Sequence, residues 1–324
     1  MSAAVSGEPG TGGATPDGAG LLLVDKPLGV TSHDVVARAR RALGTRAIGH
    51  LGTLDPHASG LLVLVVGVAT RCAAVWQGGA KTYAGTARFG VVTDSQDLQG
   101  RVLTTSDARP DEAAVRAAAA RLTGDLAQVP PMVSALKHQG ERLHAIARRG
   151  ETVERAPRPV HVAQWRWTAF RADEADFEVD CSGGTYVRTL VHDLGEALGC
   201  GAALSALRRL RSAPFRVEDA VPADALRRED AAVLFARHVL PLDRALEVLP
   251  AVALDESQAA AVGLGQAPTV SAPDAPVDAG ARSVVLRGAD GRALALAHLT
   301  QVAGALRAQP DVVFPWAVRG GRAA

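Results

Sequence analysis

Six consecutive apolar residues, Leu61 to Val66, follow a glycine-punctuated loop: Gly49-His50-Leu51-Gly52-Thr53-Leu54-Asp55-Pro56-His57-Ala58-Ser59-Gly60. The run is too short to cross a membrane and reads as a buried strand. The loop ahead of it holds one carboxylate, Asp55. Glycines there admit backbone angles that other residues resist. Pro56 fixes its own φ and pushes Asp55 toward an extended or turn conformation. The chain therefore presents a rigidly held acid at the mouth of a core strand. An Asp before Pro ordinarily closes an Asx turn, and the loop by itself reads that way first.

The rest of the chain supplies the context. Its 324 residues leave room for one large domain, or a large and a small one. With 48% hydrophobic and 21% charged residues, and no run of the roughly 18 apolar residues a membrane helix needs, it reads as globular, soluble and free of the membrane. Residues 1–19 are rich in Gly, Ala, Pro and Ser, lack the basic and apolar segments of a secretory signal, and read as a disordered tail. Cys72, Cys181 and Cys200 are an odd number without a close pair, which argues against a disulfide framework or zinc knuckle and fits a reducing, cytoplasmic setting.

Charge is unevenly spread. Residues 217–324 carry 10 Arg against 13 acids, net −3, whereas residues 21–88 carry 8 bases against 3 acids, net +5. A basic patch around the focal loop suits a polyanionic partner, although a solvated charged face has the same composition. Only Lys26, Lys81 and Lys137 are lysines, and only Tyr83 and Tyr186 are tyrosines. In a chain so biased toward Arg, these mark positions where a compact ammonium or a phenol is needed.

Read in order, Leu21 to Val24 is a short buried strand leading into Asp25-Lys26-Pro27. Thr31-Ser32-His33-Asp34 has the spacing of a helix start, and Gly44 ends that helix. A short helix near 69–77, a strand over 81–90, a polar turn with Asp94 and Asp97, and an Ala-rich helix over 110–122 follow. Residues 128–158 hold 6 bases and 3 acids and read as a protruding arm with a short helix over 141–149. Residues 160–170 and 177–181 alternate as strands. Thr185 is expected to cap a helix carrying Val187, Leu190, Val191, Leu194 and Leu198 on one face, with Tyr186 and Arg188 in its first turn. Residues 202–210 read as a further helix. Beyond about 248, a helix-like stretch over 255–262 and strands at 283–287, 293–299 and 311–316 predict a small β-rich module.

Taken in order, Asp25-Lys26-Pro27, Gly49 to Gly60, Lys81-Thr82-Tyr83, Ser134-Ala135-Leu136-Lys137, Gly184-Thr185-Tyr186-Val187-Arg188-Thr189 and Leu207-Arg208-Arg209 resemble the bacterial TruB family, the tRNA pseudouridine(55) synthases. The resemblance implies an α+β fold: a mixed, mainly antiparallel sheet flanked by helices. It places a catalytic domain at 20–247, with the 128–158 arm inserted as a thumb, and a PUA-like RNA-binding module at 248–324. The reaction implied is cofactor-free and metal-free. Uracil is detached from its ribose, turned, and rejoined through C5, after the uridine of a tRNA T-loop has been flipped out. By position, Asp55 matches the nucleophile, acting on base or sugar, and Arg188 the arginine that pairs with it. Tyr83 matches the tyrosine that stacks on the base and helps remove a proton. Tyr186 and Leu207 match the pocket wall, and His50 the residue holding the everted nucleotide or filling its gap. Lys26 and Lys137 are expected at pocket structure or phosphate. No membrane and no obligate protein partner are expected, and a monomer is the default.

Singly, these residues have plainer readings: Arg188 a surface arginine, Tyr83 and Leu207 core, and His57 a faint metal ligand lacking a third partner. Two other functions compete. A ribosomal-RNA pseudouridine synthase would carry Arg directly before Leu-Asp, where this chain has Thr53. A non-catalytic RNA chaperone or binding module would leave Asp55, Tyr83 and Arg188 without a purpose. His138 and His144 stand in the arm where relatives often have tyrosines, the tail has no counterpart in the family, and residues 267–280 fit the PUA-like pattern poorly.

Overall fold

The computed structural model describes residues 18–134, 136–275 and 283–318. Of the expected tail, residues 1–17 lie outside the described residues, and Ala19 at its end is buried in the core. In chain order the first half comprises β1 (Gly20–Lys26), α1 (Ser32–Ala42), β2 (Ile48–Leu51), β3 (Ala58–Val66), β4 (Lys81–Phe89), β5 (Val91–Thr93), β6 (Val102–Thr105), α2 (Glu112–Arg121) and β7 (Gly124–Gln128). After the arm come β8 (Arg158–Phe170), β9 (Glu174–Cys181), α3 (Val187–Leu198) and β10 (Ala202–Ser212). These strands build a sheet in the order β1-β3-β10-β4-β9-β8-β7, with β2 also paired to β3. The β3–β10 pair is parallel and its neighbours antiparallel, which is the mixed sheet the resemblance implies.

The continuous apolar run has a simple cause. Leu62, Leu64 and Val66 pack on the side of α1 and α3, while Leu61, Val63 and Val65 pack on the opposite side. A strand covered on both faces has no polar alternation to show. By contrast, β4 is buried at every second residue from Lys81 to Phe89, and its alternation was legible. Thr31 and Asp34 form the expected capping box on α1.

Three expectations need correction. Thr185 does not cap α3; its hydroxyl donates to Ser182 O at 2.9 Å. The N-cap is Tyr186, whose N–H donates to Gln128 Oε1 at 2.8 Å while Gln128 Nε2 returns a bond to Tyr186 O. Residues 202–210 are not a helix but the central strand β10. Register shifts lie between Leu204 and Ala206 and between Arg209 and Arg211. Each changes the phase of the alternation, so Leu204 and Leu207 both face one core, and a three-residue spacing of leucines imitates a helix. The strand expected at 311–316 is Ala305–Val313, followed by a helical turn over Pro315–Val318. It is the edge strand of its sheet, where Pro310 is tolerated.

That sheet is the small C-terminal module: β11 (Ala251–Ala253), β12 (Val284–Arg287), β13 (Ala293–Val302) and β14 (Ala305–Val313), with α4 (Glu256–Gly263) capped by Asp255. Val285, Leu296 and Phe314 join Leu61, Val63 and Trp76 in one cluster. The module therefore docks behind the main sheet, on the face away from α1 and α3. Among the described residues no helix is long and apolar enough to cross a membrane. Cys72, Cys181 and Cys200 are free and buried.

Candidate active site

The Asp55 loop is clamped by the β1–α1 connection. Ser32 Oγ, buried at the start of α1, donates to Leu54 O at 3.0 Å and accepts from Leu54 N–H at 2.9 Å. Gly29 N–H donates to Pro56 O at 2.8 Å, and Ala58 N–H to Asp55 O at 3.0 Å. The loop thus turns through its backbone and leaves the Asp55 carboxylate free for another partner.

That partner is Arg188. Its Nε lies 3.0 Å from Asp55 Oδ2, with the arginine side chain 3% and the carboxylate 34% exposed. Nη1 donates to Ser95 O at 2.8 Å and Nη2 to Val133 O at 2.9 Å. A guanidinium buried this deeply is aimed rather than mobile, and its planar fork spans three elements at once. The surface reading of Arg188 is therefore excluded. Asp55 is seated over it at an open mouth, one side still reached by water.

Around this pair stand other residues singled out in the sequence. Tyr83 on β4 is buried, which pushes its hydroxyl above the ordinary phenol range, while the charge of Arg209 opposes that rise. Tyr186, half-buried at the start of α3, is raised in the same way, and Ser134 at the base of the arm holds its hydroxyl. The charge of Asp55 reaches Lys26, Tyr83 and Tyr186. Leu207 on β10 is buried in the core on the side of α1 and α3. His50 on β2 meets His33 edge-on, with ring centroids 6.2 Å apart. Its buried Nδ1 has no hydrogen-bond partner among the described residues, and burial lowers its pKa.

The lysines divide. Lys26 is fully buried and donates to Pro27 O at 3.1 Å and Val30 O at 2.8 Å; it ties the β1–α1 turn and does not reach a surface phosphate. Burial brings it down to about 8, as it does Lys81. Lys137 sits on the arm in a two-residue strand paired with Glu141–Arg142, and its side chain, like that of His144, lies outside the described residues. In the arm, Arg149 is engaged by Glu141 and Glu151, so its charge is partly spent within the arm.

Three residues were missed. Asp97 was read as part of a polar turn, yet it is 2% exposed. Its Oδ1 accepts from Ser95 Oγ at 2.8 Å and Gln99 N–H at 3.0 Å, and its Oδ2 lies 3.6 Å from Arg188 Nη1. His57 Nε2 is 3.1 Å from the same Oδ2 but without hydrogen-bond geometry. Arg188 thus stands between two carboxylates from two different loops. Ser32 and Arg209 were likewise given no role, and only long-range pairing reveals them. No group of three metal-ligating side chains is found among the described residues.

Comparison with known proteins fits this arrangement. Residues 40–187 match the N-terminal domain of the TruB family pseudouridylate synthases, and residues 188–247 match the tRNA pseudouridylate synthase B C-terminal domain. The chain is 46% identical over 286 residues to the tRNA pseudouridine synthase B of Burkholderia mallei (strain NCTC 10247), covering 87% of this chain and 93% of that one. It is 50% identical over 208 residues to the enzyme of the same name from Opitutus terrae, covering 64% and 86%. Among solved structures, a chain of a Cbf5-Nop10-Gar1 complex is 26% identical with a TM-score of 0.70, covering 91% and 84%.

Proposed function

We propose that Asp55 is the nucleophile with which this chain, which belongs to the TruB family of pseudouridylate synthases, isomerises uridine to pseudouridine in tRNA. The observation that carries the assignment is the Asp55–Arg188 pair at 3.0 Å, with the arginine buried and the acid accessible. A guanidinium so placed pairs with the carboxylate and fixes its direction, while the open side admits a nucleotide.

The reaction breaks the N1–C1′ bond and forms a C5–C1′ bond; C5 gives up a proton, N1 gains one, and composition is unchanged. Asp55 attacks the base or the sugar to hold the fragments together between these events. Flipping the target out costs a few kcal/mol, and stacking on Tyr83 returns about 1–3 kcal/mol. The Tyr83 hydroxyl then assists removal of the C5 proton. Tyr186 and Leu207 wall the pocket, with the Tyr186 hydroxyl donating to the nucleotide, and His50 occupies the gap the nucleotide leaves or holds it outside. Lys26 supports the pocket from within, and Lys137 meets phosphate from the arm.

The target is the uridine of the T-loop. Residues 20–247 act as the catalytic domain, the 128–158 arm as the grip on RNA, and 248–324 as a PUA-like RNA-binding module. The chain acts in the cytoplasm as a monomer without an obligate protein partner. Incubating the purified protein with a T-arm stem-loop and mapping pseudouridine tests the reading: product at the T-loop uridine of tRNA position 55 alone is expected, and product elsewhere or none overturns it. Affinity should also fall steeply with salt, since phosphate contacts release counterions; a flat response removes the arm and the 21–88 patch from the interface.

A further inference from the structure

We propose that Arg209 is a positioning residue that aims the acid and the phenol as one unit: its guanidinium braces the Asp55 loop from beneath and presents its charge to the Tyr83 hydroxyl. The placement follows from strand register. Lys26 pairs with Gly60, Gly60 with Arg209, and Arg209 with Tyr83. One row thus crosses β1, β3, β10 and β4, and its side chains project on the α1 and α3 side. Gly60 leaves that row open between two cations. Its φ is +99°, and a Cβ there would lie 2.3 Å from Arg209 O, so only glycine lets β10 come this close.

Arg209 is 1% exposed. Its Nε donates to Leu61 O at 2.7 Å and its Nη2 to Gly52 O at 3.1 Å. Those two carbonyls bracket the Asp55 loop, one on its approach and one in the strand it enters. A Cβ on Gly52 would stand 3.5 Å from Arg209 Nη1, so the loop rests directly on the guanidinium. Among the described residues no carboxylate pairs with Arg209. Burying a charge without an ion partner is costly, and backbone carbonyls alone are a poor reason to keep one where a neutral donor would serve. The charge has a second recipient. Of the groups facing Tyr83, Arg209 on β10 favours its phenolate, whereas Asp55 on the loop and Cys181 on β9 oppose it. The charge of Arg209 also acts on Lys26, His50 and Lys81.

The inference rests on the proposed reaction only for its kinetic readout. Because Tyr83 and Tyr186 are the only tyrosines, phenolate absorbance in a Tyr186→Phe background reports Tyr83 alone, with circular dichroism verifying the fold at each pH. Arg209→Met should move that titration upward by about one pH unit or more, and Arg209→Lys, which keeps the charge, by much less. With T-arm RNA, Arg209→Met should slow single-turnover isomerisation about 100-fold while RNA affinity stays within about threefold. In a Tyr83→Phe background the same change should cost less than about tenfold. The proposal is overturned if the Tyr83 titration is unmoved by Arg209→Met, or if that change costs as much without the phenol as with it. If the unaltered protein forms no pseudouridine, the functional reading fails while the absorbance titration still judges Arg209.

Discussion

Arg188→Lys keeps the charge beside Asp55 and removes the fork. In the native side chain three nitrogens are committed separately: Nε to Asp55 at 3.0 Å, Nη1 to Ser95 O at 2.8 Å and Nη2 to Val133 O at 2.9 Å. A lysine ammonium is one compact centre on an unforked stem and cannot meet three directions from a buried position. At least two charge-assisted bonds are lost, each worth about 1.5 kcal/mol at the low end of their range. The sum of about 3 kcal/mol corresponds to roughly a 100-fold slower step, provided the bonds fix Asp55 in the transition state. The assay is single-turnover pseudouridine formation on a T-arm stem-loop, with RNA affinity and melting temperature measured beside it. A rate within about threefold of the unaltered protein, with binding and melting unchanged, refutes the view that the fork aims the nucleophile.

Three further outcomes are expected. Asp97→Asn retains the bonds at Oδ1 but removes the second carboxylate beside Arg188; turnover should drop at least about 10-fold, by roughly one charge-assisted interaction, with RNA affinity held, and unchanged turnover would leave Asp97 a loop tie only. Tyr83→Phe preserves stacking and should slow the reaction with little change in affinity; unaltered turnover confines Tyr83 to packing. Lys26 and Lys81, both brought by burial to about 8, bind fewer protons folded than unfolded between about pH 8 and 10, so their contribution to stability rises with pH by up to about 1.4 kcal/mol per unit each. Cys72 and Cys181, pushed up to about 12 and about 11, act the other way only above about pH 9. Melting temperature should therefore rise from about pH 7.5 to 9 and rise less in Lys81→Met; an equal slope in that variant contradicts the burial argument.

Local rules carried most of the fold. The capping box on α1, the alternation of β4 and the apolar spacing of α3 each announce their element within a dozen residues, and the structure forms all three. What failed was set by pairing at long range. The bulges of β10 cannot be seen without β4 beside it, and the backbone of Tyr186, the N-cap of α3, is held by Gln128, 58 residues away in the chain. The site divides in the same way. Asp55 stood out because Gly, Pro and an apolar run frame it, and rarity drew attention to Tyr83, Tyr186 and Lys26. Asp97, Ser32 and Arg209 belong to residue types common in this chain, and only the loops and strands that converge on Arg188 and Gly60 give them a place. Their sequence traces are the polar turn around Asp97, the Thr31-Ser32-His33-Asp34 helix start and the Leu207-Arg208-Arg209 run.

The central claim is that one accessible carboxylate, held by a buried guanidinium, performs the bond exchange. Asp55→Asn tests it most directly, because the amide keeps the shape of the side chain and loses the nucleophile. Binding and conversion of a T-arm stem-loop, measured on the same preparation, should show affinity within about threefold of the unaltered protein and no pseudouridine formed over many half-lives of the native reaction. Appreciable conversion by this variant would contradict the account.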